Sequence, residues 1–78
     1  MALLNSQKFS AISKSKNSIH QTTEAVYTVF DVSGKTIFQI DTFGTKKREH
    51  PEKVSQSIQI DKDMAQMLIN KLKNTFNL

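Results

Sequence analysis

The sequence has no cysteine and no tryptophan, and in 78 residues it has one proline, two glycines and two histidines. Without cysteine it can form neither a disulfide framework nor a thiolate zinc site. His20 and His50 are distant in sequence and have no partner at metal-ligand spacing, so no metal centre is expected. With glycine only at positions 34 and 44, there is no glycine-rich loop to cradle a phosphate. Serine and threonine are abundant, but none stands in a Gly-x-Ser-x-Gly context, and the acids are few and fall mostly in turns or at a helix start. These gaps argue against an enzyme, a cofactor or a small-molecule substrate. No apolar run approaches the roughly 20 residues that a membrane span requires. The apolar start Ala2-Leu3-Leu4 stops at Asn5, too early for the apolar region of a signal peptide. A soluble cytoplasmic protein is the expectation, and the missing cysteine fits a reducing compartment.

The chain is long enough for one domain. A domain of this size buries only roughly 60% of its unfolded surface, which leaves its core marginal. Small domains compensate with disulfides, metals or oligomerisation, and the first two are closed here, so association of copies is expected.

The net charge is +4 and the isoelectric point about 9.6. A basic balance on a small domain favours polyanionic partners. Residues 1–20 hold Lys8, Lys14 and Lys16 with no acid, and Lys46, Lys47 and Arg48 form a second cluster with Lys53 nearby. Residues 1–18, rich in Ser, Asn and Lys, read as a basic flexible arm with room for a short strand near Lys8 to Ser13. Residues 19–78 read as one folded unit.

That unit is expected to be α+β: an antiparallel sheet of three to four strands, then one C-terminal amphipathic helix. Residues 20–32 are dense in β-branched and aromatic side chains and predict a strand. Ser33-Gly34 suits a two-residue hairpin loop with Gly34 at positive φ. Thr36 to Phe43 predicts the next strand. Its alternation puts Thr36, Phe38, Ile40 and Thr42 on one, core-like face, and Ile37, Gln39, Asp41 and Phe43 on the other. Gly44 breaks it, and Pro51 lies in the loop that ends at Lys53. Val54 to Ile60 predicts a third strand, with Ser55, Ser57 and Gln59 forming a wholly polar face. Asp61 is a good helix N-cap, and Asp63 favours the first turn. Met64, Ala65, Leu68, Ile69, Leu72 and Phe76 fill a helical arc of roughly 140°, with Met67 about 60° beyond Met64, where one sheet needs only about 100°. The surplus fits either a deep seat on a curved sheet or contact with a second subunit.

Lys46, Lys47 and Arg48 on a loop beside a sheet can neutralise phosphates, or can simply keep the loop solvated. The polar sheet face suits single-stranded nucleic acid, with Tyr27 and Phe43 as candidate stacking rings; half of any antiparallel sheet also faces water. Asp41 opposes anion binding unless it is hydrogen-bonded or turned away.

From Tyr27 to Leu72 the chain resembles the PC4-like family of single-stranded-DNA-binding transcriptional regulators. The residues that carry the likeness are Ser33-Gly34-Lys35, the strand Ile37-Phe38-Gln39-Ile40-Asp41-Thr42-Phe43, the basic loop with Pro51 and Lys53, and Ser57-Ile58-Gln59-Ile60 running into the helix with Met64, Leu68 and Leu72 on one side. Val32, Asp41 and Gly44 depart from the family pattern. A weaker likeness, through residues 38–44 and 55–59, is to a small uncharacterised bacterial family. The PC4-like resemblance implies a homodimer with Met64, Met67, Leu68, Leu72 and Phe76 at its interface. It also implies largely sequence-independent binding of single-stranded DNA, more than RNA, in transcription regulation or DNA maintenance. Lys35, Lys46, Lys47, Arg48 and Lys53 would contact the backbone, and Tyr27 and Phe43 would stack on bases. The alternative is a non-catalytic protein-interaction module.

Overall fold

A computed structural model describes residues 1–44 and 53–78. Four strands, β1 (Ala2–Leu3), β2 (Ala25–Val32), β3 (Lys35–Phe43) and β4 (Val54–Ile60), form one sheet in the order β1-β4-β3-β2. Helix α1 (Lys62–Phe76) follows β4, and a single 3-10 turn at Ser6–Lys8 follows β1. The architecture is α+β, as expected.

The hairpin between β2 and β3 is set by its loop. Val32 pairs with Lys35, which leaves Ser33 and Gly34 as the two loop residues, with φ of 52° and 79°. Positive φ at both positions is the mirror-image turn whose twist matches that of the strands. Gly34 adopts it freely, whereas Ser33 pays a steric cost there. Replacing Ser33 with Asn, which tolerates this region, is expected to raise unfolding stability by about 0.5–1 kcal/mol, read from the urea midpoint at unchanged m-value. One step in from the turn, the Thr36 hydroxyl donates to Asp31 Oδ1 at 2.7 Å.

Three strand expectations need correction. The sheet is mixed, because β1 runs parallel to β4, with Ala2 opposite Ile58 and Leu3 opposite Gln59. The short N-terminal strand lies at Ala2–Leu3 and not near Lys8 to Ser13; residues 9–24 form no strand or helix. And β2 begins at Ala25, not at residue 20. The β3–β4 ladder is regular from Phe38–Ile60 to Thr42–Gln56. It then shifts so that Phe43 meets Val54, which leaves Ser55 as the extra residue of a bulge.

Antiparallel partners share a face, so the ladder fixes both faces of the sheet. One is apolar and carries Tyr27, Val29, Phe38, Ile40, Ile58 and Ile60. The other carries Thr28, Gln39, Asp41, Ser57 and Gln59, with Val26, Phe30 and Ile37. The apolar face does not become the core that its pattern announces. Ile40 and Ile58 keep 37% and 39% exposure, and the buried apolar residues are Ile37 and Met64. The reason is the path of the helix, whose main contacts are with β4 and the 3-10 turn. Most of the apolar face therefore has nothing over it.

Asp61 caps the helix as expected, its Oδ1 accepting from the Met64 backbone N–H at 2.9 Å. At the other end Asn77 turns left-handed at φ 58°, and its N–H returns to the Lys73 carbonyl, a common helix stop. Met64 is fully buried in its own chain, so it is not available to a partner as the dimer expectation had it. Ala65, Met67 and Leu68 are half-buried, and every residue from Ile69 to Leu78 is exposed.

Candidate nucleic-acid interface

The polar face is organised by a chain of side chains. Gln39 and Gln59 sit directly opposite each other on β3 and β4. Gln59 Nε2 donates to Gln39 Oε1 at 2.7 Å. Gln39 Nε2 in turn donates to both carboxylate oxygens of Asp41, at 3.0 and 3.1 Å. All three are half-buried, so these bonds hold in a setting where leaving a polar group unpaired is costly. Asp41 is therefore engaged by an amide on its own strand. Beside it Ser57, the ladder partner of Asp41, is buried. A shallow depression of about 390 Å³ runs from Gln39, Ser57 and Gln59 to Met1, Ala2 and Leu3 at the sheet edge.

Two described lysines stand at opposite ends of the β3–β4 pair. Lys35 opens β3 and alternates onto the side of Ile37 and Gln39, while Lys53 directly precedes β4 at the far end. Both are exposed. The nine residues of β3 separate the two ends, a span of about 26 Å at strand rise. Lys8, Lys14 and Lys16 are likewise exposed. Lys46, Lys47 and Arg48 lie outside the described residues.

The two candidate stacking rings do not share a surface. Tyr27 pairs with Ile40 on the apolar face, where it is 68% exposed and stacks on Phe38 at a centroid distance of 5.0 Å and an interplanar angle of 11°. Phe43 alternates onto the side of Gln39 and Asp41 at the bulge and is half-buried. Its backbone is tied to the segment before β2: the Phe43 N–H donates to the Glu24 carbonyl at 3.1 Å, and its carbonyl accepts from the Thr23 hydroxyl. Only Phe43 therefore borders the polar face.

The Gln59–Gln39–Asp41 chain is the feature that sequence reasoning missed. Both glutamines alternate onto polar faces, but their pairing depends on the β3–β4 register, which is set between strands ten residues apart in sequence. Among the described residues no group of three or more His, Cys, Asp or Glu could hold a metal ion. No described helix is long and apolar enough to cross a membrane. No protein-family model, curated protein or solved structure matches the chain.

Proposed function

We propose that the protein binds single-stranded nucleic acid, DNA in preference to RNA, along the polar face of its sheet and with little regard to base sequence. The observation that carries this reading is the state of Asp41. The one acid on the polar stretch of β3 is engaged by Gln39, and exposed lysines stand at both ends of the strand. A backbone crossing from Lys35 to Lys53 meets cations at entry and exit and amide or hydroxyl groups between them. The remaining N–H of the Gln59 amide and the Thr28 hydroxyl can donate to phosphate or sugar oxygens, contacts that position a strand without reading its bases. Phe43 can supply one stacking ring at the Lys53 end. The net charge of +4 and the acid-free N-terminal segment add long-range attraction.

Fluorescence-anisotropy titration of a labelled oligo(dT) of about 20 nucleotides, beside oligo(U) and a duplex of equal length, tests this at two or more salt concentrations. Binding should favour the single strand, with log K falling linearly in log salt at about −0.7 per phosphate neutralised. The double variant Lys35→Ala/Lys53→Ala should flatten that slope by about 1.4. If oligo(dT) does not bind at low salt, the reading fails, and a protein-interaction role takes its place.

A further inference from the structure

Two apolar surfaces of this chain are left uncovered, and they match each other. The first is the apolar sheet face. Tyr27 is 68% exposed, Val29 55%, Ile40 37% and Ile58 39%. The second is the far half of the helix stripe. Met64, Ala65 and Leu68 begin that stripe and are covered, but it continues through Ile69, Leu72 and Phe76, at 50%, 45% and 64% exposure. The spacing of 69, 72 and 76 keeps these three on one side of the helix. A groove of about 290 Å³ between the helix start and Val29, Phe38 and Ile60 marks where the sheet face first opens.

We infer that a second copy of this chain covers both surfaces, the Ile69–Leu72–Phe76 stripe of each copy lying on the Tyr27–Val29–Ile40–Ile58 face of the other. The area is of the right size. The seven side chains together expose on the order of 700 Å² of mostly apolar surface per chain, close to the roughly 800 Å² that a standard interface takes from each partner. The helix is anchored at its Met64–Leu68 end, and beyond it Ile69, Leu72 and Phe76 keep 45–64% exposure, apolar area that only a further surface can cover.

The choice of a second copy follows from self-complementarity. A two-fold axis brings any patch pair together twice, so one stripe and one face per chain satisfy each other with nothing left over. The free part of the stripe, Ile69 to Phe76, spans about 10 Å at 1.5 Å per residue, close to the width of about 10 Å across the adjacent strands β2, β3 and β4 that it would cross. The arrangement leaves the polar face free, and it stands whether or not that face binds nucleic acid.

The test exploits the absence of cysteine, which removes any background. Sedimentation equilibrium of the full chain should give twice the 8.9 kDa chain mass. Phe76→Cys and Tyr27→Cys chains, mixed and joined with a short bis-maleimide, should give a cross-linked heterodimer in greater yield than either variant alone. Leu72→Glu and Val29→Glu, one on each surface, should each shift the equilibrium toward monomer. A chain that stays monomeric at high micromolar concentration overturns the inference. So does a dimer in which Phe76→Cys joins only to itself, which would place helix on helix. If the glutamate variants fail to fold, the cross-linking yields of the cysteine variants still decide between these outcomes.

Discussion

Met64→Ala should cost about 2–5 kcal/mol, the range for removing a long buried apolar side chain and leaving part of its cavity. Met64 is the one large side chain with no exposed surface, and with Ile37 it makes up the buried apolar set of the described residues. A domain of this length has a total stability of only about 4–12 kcal/mol, so the substitution removes a large share of it and should lower the urea midpoint markedly. Far-UV circular dichroism through a urea titration measures the loss. A Met64→Ala protein with an unchanged midpoint would mean that the helix is not anchored through this residue. Ile69→Ala on the same helix is the informative contrast. If the far half of the stripe has no cover, that substitution falls in the range of ordinary surface changes, within about 0.5 kcal/mol. If a second copy covers it, the loss is larger and grows with dilution, because dimer stability is inseparable from protomer concentration.

What was legible in the sequence was local. Ser33-Gly34 announces its turn because the two-residue loop requires positive φ. Asp61 announces the helix because its carboxylate satisfies an orphan N–H three residues on. The alternation of β3 correctly sorts Phe38 and Ile40 from Gln39 and Asp41. It does not say which side is covered, since that depends on where the helix goes after Ile60, a tertiary matter. Strand β1 was illegible for a related reason. Two residues carry no periodicity, and their partners at Ile58 and Gln59 lie more than fifty positions along the chain. The separation of Tyr27 from Phe43, by contrast, follows from the hairpin alone. With the loop fixed at 33–34, Tyr27 must fall opposite Ile40, and Ile40 and Phe43 differ by an odd number of residues. Two rings that looked like one platform in the sequence therefore stand on opposite sides of the sheet.

That separation shifts the weight of nucleic-acid binding from stacking to charge, and the charge is testable as a set. Replacing Lys46, Lys47, Arg48 and Lys53 together with alanine should produce the largest functional loss of any change in the chain. If each neutralises one phosphate of a single strand, the log–log salt slope falls by about 2.8, and at 0.1 M monovalent salt the affinity falls between about a hundred- and a thousand-fold. Phe43→Ala removes a single stacking contact, about 1–3 kcal/mol, and should leave the slope unchanged. Anisotropy titrations of oligo(dT) at several salt concentrations separate the two effects, because a lost ion contact changes slope and intercept together whereas a lost stack changes the intercept alone. A quadruple variant that binds with the parental slope would place the strand away from this loop and toward the basic segment that carries Lys8, Lys14 and Lys16. The same substitution should not alter the mass at sedimentation equilibrium, since the inferred contact is carried by Ile69, Leu72 and Phe76 against Tyr27, Val29, Ile40 and Ile58. Charge-driven binding and association through the apolar face would then be two separable properties of one small fold.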